Sequence, residues 1–310
     1  MANIALLLVC LVGGVVLRRL GALPDEASRA LNRFIIYLSL PALVLQKVTP
    51  LFGGGGVTPS LFMPVAAAWV LFGLAFGVGK LAGRAAGWSP ATTGTIILAM
   101  GLGNTLFVGY PLIEWRLGAG ALPLAVLIDQ LGSFLVLSSV AVVVAAAQGG
   151  RAVGASALVR RLIGFPPLHA LLVAIVWGLS RTYHSVPIAF QIFEKLSVTL
   201  VPLALFSVGA ALRLDRTLLA RRWRQVGFGL GCKLVVLPAL IWIVYRFGLR
   251  LTGQDLQVTV LQTAMAPMAT SAVLVSEFGL DEELAALLLG LGIPLSIATV
   301  WGWSVLLRLG

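Results

Sequence analysis

Three polar residues set deep in apolar runs are where this sequence could do chemistry: Asn104, Asp129 and Lys233. Asn104 lies in residues 101–118, GLGNTLFVGYPLIEWRLG, where Gly101, Gly103, Gly109 and Pro111 disfavour a continuous helix. Glycine adds backbone entropy and proline removes a donor, so a helix crossing a membrane is expected to break here. Unpaired backbone in lipid costs on the order of several kcal/mol per group, so such a break is tolerated only where it is buried in protein or lines a wet cavity. A carboxamide at the break, with two donors and one acceptor, is suited to holding a polar solute.

Of eleven acidic residues, only Asp129 is far from a connector or span end. About ten residues into its run at roughly 1.5 Å each, it sits near the bilayer centre, where an ionisable group is a functional candidate by default. It reads as a proton or cation carrier, or as a structural partner of Lys233. Lys233 lies similarly deep in a later run. It reads as a charge-coupling group, or as a side chain snorkelling to the interface. Gln130 and Gln262 are solute ligands or interhelical glue. A second break is expected at Met265-Ala266-Pro267-Met268-Ala269-Thr270, where Thr270 and Ser271 can offer hydroxyls to a cavity. Gly103, Asn104, Thr105, Pro267, Met268 and Thr270 are therefore the expected substrate contacts, with Asp129 and Lys233 as the coupling residues.

Composition sets the frame for these residues. The 310-residue chain is 59% hydrophobic and 11% charged, with a mean hydropathy of +1.03. It is an all-α polytopic membrane protein by these measures. The net charge of +11 does not read as a nucleic-acid footprint, because the 22 Lys and Arg residues sit mostly in short connectors and basic patches interleaved with exposed aromatics are missing. Cys10 and Cys232 fall inside apolar runs and imply no disulfide framework. His169 and His184 have no ligand partners at metal-binding spacing. No H-E-x-x-H, paired acidic cluster, deep Asp pair or P-loop is present, so neither catalysis nor a cofactor is expected.

About 20 apolar residues per crossing give ten spans. They run over 2–20, 31–49, 60–83, 91–117, 119–147, 166–183, 190–213, 224–249, 256–278 and 282–308. Ala2 to Leu17 lacks a basic leader and is followed by Arg18 and Arg19, so it reads as the first span rather than a cleavable signal. Fourteen of the 22 basic residues fall on the side reached after the odd-numbered spans, which puts that side in the cytoplasm and both termini outside it. Trp88, Trp115, Trp177, Trp223 and Trp301 fall near the expected interfaces.

The second span's Leu40-Pro41-Ala42-Leu43-Val44-Leu45 is echoed by Val201-Pro202-Leu203-Ala204-Leu205-Phe206 in the seventh, and the break near Gly103 by the one at Pro267. The halves are thus five spans each, residues 1–147 and 166–310, joined by a basic cytoplasmic linker at 148–165, and Gly53 to Gly56 forms a flexible outer loop. An odd number of spans per repeat inverts the second copy, and paired broken helices at the midplane mark the binding site of secondary transporters.

The stretch Asn104-Thr105-Leu106-Phe107-Val108-Gly109-Tyr110-Pro111-Leu112 resembles the fourth-helix motif of the auxin efflux carrier family. That family includes plant PIN-type carriers and bacterial malonate or malate carriers. Asn32 to Leu45, Pro202 to Leu212 and Ala266 to Leu284 resemble its second, seventh and ninth helix signatures, so the likeness covers nearly the whole chain. The resemblance implies ten helices as two inverted repeats with helices four and nine crossing, homodimers formed through a scaffold domain, elevator-type alternating access and an organic-anion substrate. Asn104 matches the asparagine that contacts the substrate carboxylate in the PIN-type carriers. Gly103 stands where the plant pattern has proline, and Met268 where it has glutamine. The long cytoplasmic loop of many plant carriers is absent, as in a compact bacterial-type member. A small carboxylate crossing the cell (inner or plasma) membrane is the expected cargo. A cation- or proton-coupled exchanger of the same architecture and a membrane receptor without turnover are the alternatives.

Overall fold

The computed structural model describes residues 2–24, 26–54, 61–211 and 216–309. Asp25, Gly55 and Gly56 of the outer loop, Leu212, Arg213 and Asp215 lie outside the described residues. Among those described, the fold is helical, and its one isolated bridge joins Gly103 to Pro267.

Helix α1 is Ala2–Arg19. Among the described residues, six helices are long and apolar enough to cross a membrane by themselves: α2 (Ala27–Gly53), α3 (Phe62–Ala85), α6 (Ala119–Gln148), α9 (Pro187–Ala211), α10 (Thr217–Gly248) and α13 (Glu282–Leu307). The bent pair α7 (Ala155–Ile163) and α8 (Pro166–Ser180), which meet at 66°, makes a seventh when taken as one span. The protein is thus a multi-pass membrane protein. Two of the expected spans are not single helices. Residues 91–117 divide into α4 (Pro90–Gly101) and α5 (Tyr110–Leu117), and residues 256–278 into α11 (Gly253–Thr263) and α12 (Ser271–Glu277). Each piece is too short to cross hydrocarbon about 30 Å thick at 1.5 Å per residue.

Local chemistry sets these boundaries. Ser89 caps α4 by accepting the Thr92 amide at 3.1 Å, with Pro90 in the first turn where its missing N–H is no loss. The stretch expected as a plain linker folds in part into α7, which carries Arg160 and Arg161 in its last turn, where cations favour the carbonyl end of a helix.

Two groups of helices meet around the breaks and share one core. In one, α1 lies along the Leu200–Ala211 part of α9, and α8 along the Leu40–Gly53 part of α2. Backbone approach is close: a Cβ on Gly209 would stand 2.1 Å from the Leu11 carbonyl oxygen, so only glycine fits. Ser39 and Thr199 share a hydrogen bond of 2.7 Å, and Ser207 donates to Asn32 Oδ1 at 2.6 Å, tying α2 to α9. In the other group, α3 packs on α4 and on the Asp129 region of α6, while α10 packs on α11 and α13.

Candidate binding site at the helix crossing

The two breaks repair each other. Leu102 leaves α4 in extended geometry (φ −111°, ψ 116°) and runs antiparallel to the chain at Pro267. The Asn104 amide donates to the Ala266 carbonyl at 2.7 Å, and the Met268 amide donates to the Leu102 carbonyl at 3.0 Å. Pro267, with no N–H to give, sits between the accepting Ala266 and the donating Met268, so the pairing needs no donor that proline lacks. Gly103 faces it closely: a Cβ there would stand 3.2 Å from the Gln262 carbonyl oxygen and 3.3 Å from Lys233 Nζ.

Beyond the crossing the chain re-enters a helix through a widened π turn, Thr105–Gly109. Asn104 Oδ1 accepts the Phe107 amide at 3.1 Å and so caps that turn. Its Nδ2 is buried with no partner in the protein, and the residue is only 1% exposed. A buried donor left open in this way is costly, so it marks a place where a ligand or water belongs. Asn104 is also one of the residues lining a cavity of about 290 Å³, with Asp129, Phe134, Phe165, Met268 and Thr270.

Asp129 projects from a second widened turn, Ile128–Phe134 within α6. Its carboxylate accepts from the Thr105 hydroxyl, from the Tyr110 hydroxyl at 3.0 Å and from Gln130 Nε2 at 2.7 Å. Thr105 and Tyr110 both lie within the first broken segment, so the carboxylate is bonded directly to the element that carries Asn104. The hydroxyls can each turn to accept instead, which lets the network hold Asp129 with or without its proton.

Lys233 belongs to a third widened turn, Cys232–Val236 in α10, and is fully buried. Its ammonium donates to the Thr263 carbonyl, the last residue of α11, at 3.2 Å. It neither snorkels to an interface nor meets Asp129, whose bonds all go elsewhere. It stands behind the crossing instead of on the cavity wall. Of the eight residues expected from sequence, Asn104, Asp129, Met268 and Thr270 line the cavity. Thr105 bonds to one of those lining residues, while Gly103, Pro267 and Lys233 build the crossing behind them.

Two contributors, Tyr110 and Arg161, were not anticipated, while Gln262, expected as a solute ligand or interhelical glue, bridges two helices. Tyr110 holds Asp129 and also lines a second cavity of about 360 Å³ near the start of α6, with Gln46, Lys47, Glu114 and Glu194. Gln262 donates to the Ala125 carbonyl at 3.3 Å, and its Oε1 lies where a Cβ on Gly109 would come within 2.4 Å, so a side chain at Gly109 would have to displace the Gln262 carboxamide. Arg161 of α7 lines the first cavity at its mouth. Tyr110 and Gly109 stand in the motif stretch itself, so proximity could have flagged them. Nothing local in sequence pointed Arg161 inward.

Comparison with known proteins follows the same direction. The family model described as "Membrane transport protein" matches residues 1–304. An uncharacterised transporter of Methanothermobacter thermautotrophicus is 29% identical over 306 residues, covering 97% of this chain and 96% of that one. A putative malonate transporter of Rhizobium meliloti is 28% identical, covering 96% and 92% respectively. An uncharacterised transporter of Methanocaldococcus jannaschii is 23% identical over 98% of each chain.

Proposed function

The chain belongs to the membrane transport protein family, that of the auxin efflux carriers, and is a transporter rather than an enzyme; from this premise we propose that it moves a small organic anion, a carboxylate, across the cell membrane by alternating access. The observation that carries the reading is the unpartnered amide of Asn104, a residue 1% exposed that lines the crossing cavity. A carboxylate supplies the acceptor that this donor lacks. The relative named as a putative malonate transporter supports the same cargo class.

Asp129 shares the cavity with the proposed anion. Two like charges there oppose each other, so anion binding and protonation of Asp129 favour one another, and by linkage the carrier takes up its anion together with a proton. A metal-cation exchanger is less well supported. The donors around Asp129 point hydrogens at the carboxylate, and among the described residues no group of three or more His, Cys, Asp or Glu converges, whereas a hard cation takes several oxygens. A receptor without turnover is separated from a carrier by saturable flux.

The architecture belongs to the same proposal. Ten crossings form two inverted five-helix repeats, residues 1–147 and 166–310, joined by the 148–165 linker. Reciprocal packing supports this: the first crossing lies on the seventh and the second on the sixth, as α1 with α9 and α2 with α8. That group would be the scaffold through which homodimers form, and the group holding the crossing would move against it as an elevator. Both termini lie outside the cytoplasm in this arrangement.

The test is uptake of radiolabelled small carboxylates into proteoliposomes. Wild type is expected to show saturable uptake, and Asn104→Ala to lose roughly ten- to hundredfold in kcat/KM, the range for one hydrogen bond to a charged group. Equal uptake by wild type and Asn104→Ala would remove the site assignment.

A further inference from the structure

Among the described residues lining the crossing cavity, the charged ones are Asp129, deep, and Arg161, at the mouth. Arg161 comes from the linker helix α7, outside both expected halves. Its Nη2 pairs with Glu277 Oε1, and Arg151 Nη1 donates to the Glu277 main-chain oxygen at 2.8 Å. Glu277 is the last residue of α12, the half-helix that leaves the crossing. The two side chains of the pair are 33% and 41% exposed, so water competes for both partners. An ion pair so placed is weakly held and opens readily.

We infer that Arg161 is an anion-contact residue of this cavity and that Glu277 is its resident occupant, an internal carboxylate that the carboxylate of an entering substrate displaces. The inference rests on the anion-carrier reading above. The guanidinium fork exchanges one carboxylate for a chemically equivalent one, so the exchange changes partners without stranding a charge. Asn104 lies deeper, so an anion entering from the linker side meets Arg161 first. Each anion captured frees the Glu277 side chain, removing one polar tie between α12 and the linker while the Arg151 bond to the Glu277 main chain remains. Substrate entry is thereby linked to the freedom of a half-helix whose preceding segment carries Met268 and Thr270, both on the cavity wall.

A pair that merely fastens α7 to α12 makes a different prediction, because its two members are then interchangeable losses. The deciding experiment measures KM and kcat for carboxylate uptake by wild type, Arg161→Gln, Glu277→Gln, Arg151→Gln and the swap Arg161→Glu/Glu277→Arg. Melting points without ligand are recorded beside them to exclude misfolding. Arg161→Gln is expected to raise KM roughly ten- to hundredfold. Glu277→Gln is expected to lower KM about two- to fivefold, because a competitor worth what a part-exposed ion pair is worth has been removed. Arg151→Gln is expected to leave KM within about twofold, since it touches only the Glu277 main chain. The swap restores the ion pair and is expected to keep the high KM. Opposite shifts in KM for the two single variants sustain the inference. Shifts of the same sign, or recovery of wild-type KM by the swap, overturn it while leaving the carrier reading intact. Absence of saturable carboxylate uptake by wild type would overturn the carrier reading, and this inference with it.

Discussion

Asp129 and Lys233 are both buried charges, both on π-widened turns of long helices, yet their surroundings differ. Asp129 is met by three donors and faces a cavity, whereas Lys233 is met by one carbonyl at the end of a half-helix, behind the crossing. We propose that the difference separates a charge that can change state from one that holds a shape. Hydroxyl and amide partners can reorganise around a carboxyl group as it gains or loses a proton. An ammonium placed at the C-terminal carbonyls of α11 satisfies the negative end of a helix dipole that a broken span leaves inside the protein. The depth of the two residues in sequence is the same kind of signal for both, and only the neighbours tell them apart.

The contrast can be broken most forcefully at Lys233. Lys233→Ala is expected to destabilise the purified protein by about 2–5 kcal/mol, through lost packing and an orphaned Thr263 carbonyl. Lys233→Met, which keeps the volume, should recover more than half of that in the melting temperature and retain uptake. If Lys233→Met instead melts like wild type but abolishes uptake, Lys233 is a coupling residue and the contrast fails. Next in size is the pH profile of Asp129. Wild-type anion uptake should rise as pH falls, by at most about tenfold per pH unit for one linked proton. Asp129→Asn should fold and make uptake insensitive to pH, and a profile unchanged by that substitution would assign the proton elsewhere. The smallest effect sharpens the crossing itself. Gly103→Ala brings a Cβ to 3.2 Å of the Gln262 carbonyl oxygen and 3.3 Å of Lys233 Nζ, a mild overlap. It should lower stability by about 1 kcal/mol and leave the pH response in place. A larger loss would mean that the crossing cannot give at all.

Much of the site was legible because the signals were chemical and local. Clustered glycine and proline announced the two broken helices, although Pro50 and Pro294 are carried inside continuous ones, and Asn104 and Asp129 stand out because polar groups are expensive in apolar runs. The echo between Gly103 and Pro267 even pointed to the two positions that pair in space. Other features left no such mark. Arg161 belongs to a basic stretch that topology alone explains, and nothing in its neighbours says that α7 turns it toward the cavity. Gly109 resembles any glycine at a break until the Gln262 amide is seen against it. The breaks of the fourth and ninth spans were expected at Gly103 and Pro267, but hydropathy counts residues and cannot see the hydrogen bonds that decide where each half-helix ends.

Sequence by itself therefore determined that the chain is a helical membrane protein, where its helices must break, and which polar residues lie too deep to be incidental. These follow from backbone entropy, missing donors and the cost of burial, all properties of residues and their near neighbours. Only the tertiary structure decided which partner repairs each break, that Asp129 faces the cavity while Lys233 supports the crossing, and that Arg161 reaches the mouth to meet Glu277. Those outcomes depend on groups up to 166 positions apart in sequence, Leu102 and Met268 among them. Which of many equally polar groups a buried donor meets is set by how the helices pack, and no local pattern encodes it.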